Sequence, residues 1–269
     1  MTATAPFCRE AGSGPGVVCL HSNASSSGQW RSLVDELADR YRVLAPDSYG
    51  AGKSPEWPSR RQISLGDEAA LIEPVLARAG SPLALIGHSY GGAVALIAAL
   101  ARPQRVRALV LYEPTLFALV DVETPPPNGA DGIRNTVEIA AQALDRDDRV
   151  AAARCFIDFW MAPGSFDAMP DGRRAPIADS VVNIRRWAHA LLTEPTPLAA
   201  FATLDMPVLY LLGARSPEPA HAVARVLIPA LPRVEVVELP EVGHMAPITH
   251  PGVVNGEIAR FLARTHAPT

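Results

Sequence analysis

The chain has 269 residues, with 28 Asp and Glu against 24 Lys and Arg, for a net charge of −4. That balance excludes a broad basic footprint for nucleic acid or for an anionic membrane. Apolar residues at 48% and charged residues at 19% exclude a disordered chain. The longest unbroken apolar run, the nine residues from Ala93 to Ala101, excludes a helical membrane span.

A chain of this size suits one large α/β domain or two small ones, and buries about 70% of its unfolded surface without staples. Cys8, Cys19 and Cys155 have no CxxC spacing and read as small buried hydrophobes in a reducing compartment. The first residues lack a basic stretch followed by an apolar one, so no signal peptide is expected and the expected location is cytoplasmic. No His/Cys cluster has ligand spacing, so neither a metal nor a cofactor is implied.

In chain order, short apolar runs at Val17–Leu20, Tyr41–Ala45, Leu83–Ile86, Val106–Tyr112, Val208–Leu212 and Val234–Leu239 read as strands covered on both faces. Between them lie helix candidates at Gln29–Arg40, Leu65–Ala79, Tyr90–Ala101, Pro219–Leu231 and Gly252–Arg264, with a kink expected at Pro74. The alternation predicts right-handed βαβ units and a mostly parallel, doubly wound sheet of about seven strands. It breaks between Thr115 and Phe201, where helical patterns follow a Pro-rich loop. Asp131 reads as the N-cap of a helix carrying Ile133, Val137, Ala141 and Leu144 on one face; Val150–Met161 and Ala175–Leu192 read as two more. The expected organisation is a core of residues 1–114 and 201–269, with 115–200 inserted as a helical lid over the carboxyl edge of the sheet.

Three motifs carry chemistry. Gly87-His88-Ser89-Tyr90-Gly91 follows a strand and opens a helix, the context that gives G-x-S-x-G meaning. So sharp a turn exposes the Ser89 hydroxyl as a nucleophile and leaves the Tyr90 N–H at a helix N-terminus, where it can meet an oxyanion. Gly243-His244 follows the last strand. A serine nucleophile needs an adjacent base, and His244 has the loop placement to lie over Ser89. His21-Ser22-Asn23 follows Val17–Leu20; its loop can supply a second oxyanion N–H from Asn23, with His21 fixing the loop's shape. Gly50-Ala51-Gly52-Lys53-Ser54 mimics the end of a phosphate loop, but Asp47 stands where the first glycine belongs.

These elements, together with Asp47-Ser48-Tyr49-Gly50-Ala51-Gly52-Lys53-Ser54, resemble the α/β-hydrolase fold superfamily over nearly the whole chain. The resemblance implies a serine hydrolase cleaving a carboxylic ester or lactone through an acyl-enzyme on Ser89. Carbon–carbon bond hydrolysis and cofactor-free perhydrolysis are the enzymatic alternatives; a non-catalytic ligand-binding module is the alternative from another class. The chain departs from the family in three ways. About 16 residues precede Val17, enough for one strand, so the first strand of the usual eight is expected to be missing. Ser22 replaces a usual glycine. The usual acid position, three residues past Gly213, holds Ser216. A second family solution places the acid after the preceding family strand, where Glu113-Pro114 follows Val106–Tyr112; Glu113 is the expected acid, with Glu218 or a dyad without an acid as alternatives. Phe156, Phe159, Trp160, Met161 and Trp187 concentrate apolar surface in the inserted helices and are expected to line a pocket for a small apolar ester or lactone.

Overall fold

The structure, a computed structural model, describes residues 5–265. Seven strands form one sheet: β1 (Cys8–Ala11), β2 (Gly16–Leu20), β3 (Arg42–Pro46), β4 (Leu83–His88), β5 (Val106–Tyr112), β6 (Val208–Gly213) and β7 (Val234–Leu239). Their order is β1-β3-β2-β4-β5-β6-β7. Only β1 runs antiparallel, pairing Cys8 with Pro46 and Ala11 with Val43. β4 is therefore central. Every residue of β2, β4 and β6 is buried, which is why they read as unbroken apolar runs. β7, at the edge, exposes Glu235, Val236 and Glu238 and is covered less than its sequence suggested.

Helices cover both faces. α1 (Arg31–Leu37) and α12 (Pro251–Thr265) lie on one, where Leu33, Leu37, Ile258 and Phe261 pack on Val43, Ile86 and Val110. α2 (Leu65–Ala79) and α3 (Tyr90–Ala101) lie on the other, over Val18, Leu85 and Leu109. α2 starts with a capping box between Ser64 and Asp67 and runs as one helix through Pro74.

Between β5 and β6 come six helices: α4 (Phe117–Glu123), α5 (Asp131–Asp145), α6 (Arg149–Trp160), α7 (Asp171–Ser180), α8 (Ile184–Leu192) and α9 (Leu198–Phe201). Two expectations change here. Asp131 is the first helical residue and Ala130 the N-cap; the Asp131 carboxylate instead accepts from the Asn128 backbone N–H at 2.8 Å. The stretch 175–192 is two helices, broken by a 3₁₀ turn at Val181–Asn183, where two β-branched residues and an Asn give a locally poor helix sequence. After β6, α10 (Glu218–Leu227) packs beside α4, and α11 (Ala246–Thr249) follows β7.

Candidate active site

The turn after β4 holds Ser89 at φ +56°, ψ −118°, a conformation L residues rarely adopt. Close packing makes it possible. A Cβ on Gly87 would lie 2.4 Å from the Gly91 carbonyl oxygen, and one on Gly91 would lie 2.4 Å from that of Leu20. The second contact presses the loop after β2 against the turn. Gly92 faces Pro114 more loosely, at 3.0 Å.

That loop is fixed from two sides. His21 donates through Nδ1 to the Ser22 carbonyl at 2.7 Å and accepts through Nε2 from the Ser48 N–H at 3.0 Å. Burial lowers its pKa, in keeping with a neutral structural ring. Ser22 donates from its backbone N–H and from Oγ to Gln29 Oε1. Asp47 ties down the Gly-rich loop by accepting from the Ser27 and Lys53 backbone N–H groups, so its carboxylate occupies the place a phosphate would need. No protein atom among the described residues accepts from the backbone N–H of Asn23 or Tyr90. Asn23 and Ser89 face the same cavities.

His244 sits in the loop between β7 and α11. Its Nε2 faces Ser89 Oγ at 3.0 Å, and its Nδ1 faces Glu113 Oε2 at 2.6 Å. A carboxylate only accepts, so Nδ1 carries the proton and Nε2 offers its lone pair to the Ser89 hydroxyl. Relative exposure is 6% at Ser89, 1% at His244 and 0% at Glu113, which leaves the chain of bonds little screened by water. Two side chains clamp the backbone around His244. Tyr112 Oη donates to the Gly243 carbonyl at 2.8 Å, and His88 Nε2 to the His244 carbonyl at 2.9 Å. Burial, reinforced by the neighbouring His244, holds the His88 pKa well below its usual value, so it serves as a neutral donor. The Trp160 ring stacks on the His244 imidazole at 3.9 Å and 27°.

Glu113 follows β5 in a left-handed conformation, φ +44°. Its second oxygen accepts from the Gly213 N–H and from Ser216 Oγ, each at 2.6 Å. Glu218 lies elsewhere, exposed and paired with Arg225.

A small cavity of about 20 Å³ adjoins Ser89. Phe156, Trp160 and Trp187 line it; Phe159 does not, lying edge-on to Trp160 at 5.1 Å. Met161 lines a separate open groove of about 950 Å³ between α1, α7 and α11. Sequence reasoning missed Thr115, Ile133 and Leu191 on the cavity wall. For Ile133 the signal was its place on the apolar stripe of α5. Of the cysteines, Cys19 is buried while Cys8 and Cys155 are half-buried, and all three are free.

A mostly parallel sheet with a serine on the sharp turn after its central strand defines an α/β enzyme of the hydrolase type. A family model described as the alpha/beta hydrolase fold matches residues 15–251, and the chain belongs to that family. It is 28% identical over 246 residues to the pimeloyl-acyl-carrier-protein methyl ester esterase of Chromobacterium violaceum, covering 91% of this chain and 92% of that protein. It is 27% identical over 260 residues to the 2-(acetamidomethylene)succinate hydrolase of Mesorhizobium japonicum, covering 94% and 90%. A thermophilic esterase from Thermogutta terrifontis superposes with a TM-score of 0.76 at 24% identity, over 97% of this chain and 94% of that one, and shares the fold. Among the described residues no helix is long and apolar enough to cross a membrane.

Proposed function

We propose that this chain is a serine hydrolase of small carboxylic esters or lactones. The observation that carries the reading is the unbroken series of hydrogen bonds from Glu113 through His244 to Ser89. Ser89 Oγ attacks the carbonyl carbon while its proton passes to His244 Nε2. The carbonyl π pair moves onto oxygen, which the Asn23 and Tyr90 N–H groups stabilise. The tetrahedral intermediate collapses, the bond to the alkoxy oxygen breaks, and His244 returns the proton to that oxygen. Water then attacks the acyl-serine with His244 again as base, releasing the acid and restoring Ser89. Glu113 holds the imidazole in the correct tautomer throughout. Helices α4–α9 act as the lid, and esterases among the relatives favour an ester substrate.

The test is labelling with a fluorophosphonate probe, followed by hydrolysis of p-nitrophenyl esters and lactones with Ser89→Ala as blank. Labelling at Ser89 and loss of all but about 10³–10⁴-fold residual rate enhancement in the variant are expected. Failure to label would favour a ligand-binding module. Retention of most activity by Ser89→Ala would refute the mechanism.

A further inference from the structure

The two sides of Ser89 differ in a way that constrains the substrate. A second, smaller cavity of about 10 Å³ touches Ser22, Asn23, Ser89, His244 and Met245. In ester cleavage His244 must deliver its proton to the departing oxygen, so the alcohol half lies on the side where His244 forms the wall. The cavity of about 20 Å³ has Ser89 and Asn23 on its wall but not His244. By elimination it takes the acyl half.

That acyl cavity is apolar apart from a few groups. Ile133, Val137, Phe156, Trp187 and Leu191 form most of the wall, and the polar Thr115 lies among them. Thr115 is 1% exposed, and its Oγ1 has no hydrogen-bond partner among the described residues. Its backbone is engaged: its N–H donates to the Ser89 carbonyl at 3.4 Å, and its carbonyl accepts from Phe117 at 2.9 Å. An unmatched buried hydroxyl costs roughly 1–3 kcal/mol, and a valine of the same shape would avoid that cost. A partner arriving with the substrate gives the hydroxyl a use.

We infer that the substrate is an ester whose acyl group is short and carries one oxygen substituent that hydrogen-bonds to Thr115. This rests on the ester-hydrolase reading above. The cavity as it stands has room for about one water, which limits the acyl chain.

The experiment compares p-nitrophenyl esters that differ only by oxygen for methylene: methoxyacetate against butyrate, and 3-methoxypropionate against pentanoate. kcat/KM is measured for wild type, Thr115→Ser and Thr115→Val. The readout is each ether-to-alkyl ratio, so the intrinsic reactivity of the esters and any general loss in a variant cancel. In at least one pair the wild-type ratio should exceed that of Thr115→Val by about tenfold, the value of one buried hydrogen bond, and Thr115→Ser should keep it. If neither ratio moves by more than twofold, solvent serves the hydroxyl and the inference is overturned. An acyl optimum at octanoate would overturn the short-chain part. Butyrate cleavage that Ser89→Ala lacks keeps the parent reading intact whatever the ratios do.

Discussion

Ser216 donates its hydroxyl to Glu113 Oε1 at 2.6 Å, across the gap between the ends of β5 and β6. The residue at the family's usual acid position thus supports the carboxylate supplied from the neighbouring strand. Together with the Gly213 N–H, it fixes one oxygen of Glu113 and leaves the other for His244. Ser216→Ala removes one charge-assisted bond of roughly 1.5–3 kcal/mol. kcat should fall by about tenfold with KM little changed, measured on any p-nitrophenyl ester the wild type cleaves. Ser216→Asp should be worse than alanine, since two carboxylates would then compete at one site.

Glu113→Gln should fold and bind but lower kcat by up to about 10⁴-fold, because an amide can hold His244 in the wrong tautomer. Glu218→Gln, at an exposed ion pair, should stay within a few-fold of wild type. Steady-state kinetics of the two variants side by side decide between them, and the reverse result would move the acid to Glu218.

Trp160 is 5% exposed, stacks on His244 and forms a wall of both small cavities. Trp160→Ala should merge them toward the groove and shift the preferred acyl chain upward by two or more carbons. It should also cost about 3–5 kcal/mol of stability. A graded ester series and a denaturant titration read the two effects separately; an unmoved optimum would mean that Trp160 only packs.

Glu68, 2% exposed on α2, accepts from the Tyr49 N–H and from Tyr90 Oη, both at 3.3 Å. Burial pushes its pKa up from 4.5 to about 8. Between those values the unfolded chain has lost a proton that the folded chain keeps, so stability falls as pH rises through this window. The penalty is absent below about 4.5 and complete above about 8. Glu68→Gln should escape it. The difference in Tm between variant and wild type should widen in the variant's favour from pH 5 to pH 8, reaching several degrees. A constant difference would show that Glu68 is ionised throughout.

The strands were legible where both faces are covered, because burial on two sides forces unbroken runs such as Leu83–Ile86. Of β1 only the room for one strand ahead of Val17 was legible, not its place, since Cys8–Ala11 is a short, half-buried edge strand with no apolar signature. The contact of His244 with Ser89 was legible because each residue depends on local context, a strand-to-helix turn or a loop after a strand. That of Glu113 with His244 was legible only through the family resemblance, which offers a second acid position when position 216 holds a serine. Thr115 and the Ser216 contact could not. Both depend on which side chains meet after the inserted helices and β6 have packed, and nothing local to either residue announces it. The break at Val181–Asn183 is not legible because the apolar residues on either side continue a helical pattern.

Ser89 at φ +56° and Glu113 at φ +44° both occupy backbone conformations suited to glycine. Each costs roughly 1–3 kcal/mol, and both lie at the carboxyl ends of adjacent strands. Ser89→Gly and Glu113→Gly should therefore unfold at a higher temperature than the matching alanine variants. A lineage of this sequence released from selection for activity and held only to folding would drift first to glycine at residue 89, whose side chain bonds only to His244 among the described residues, and would keep Glu113, whose carboxylate satisfies Gly213, Ser216 and His244.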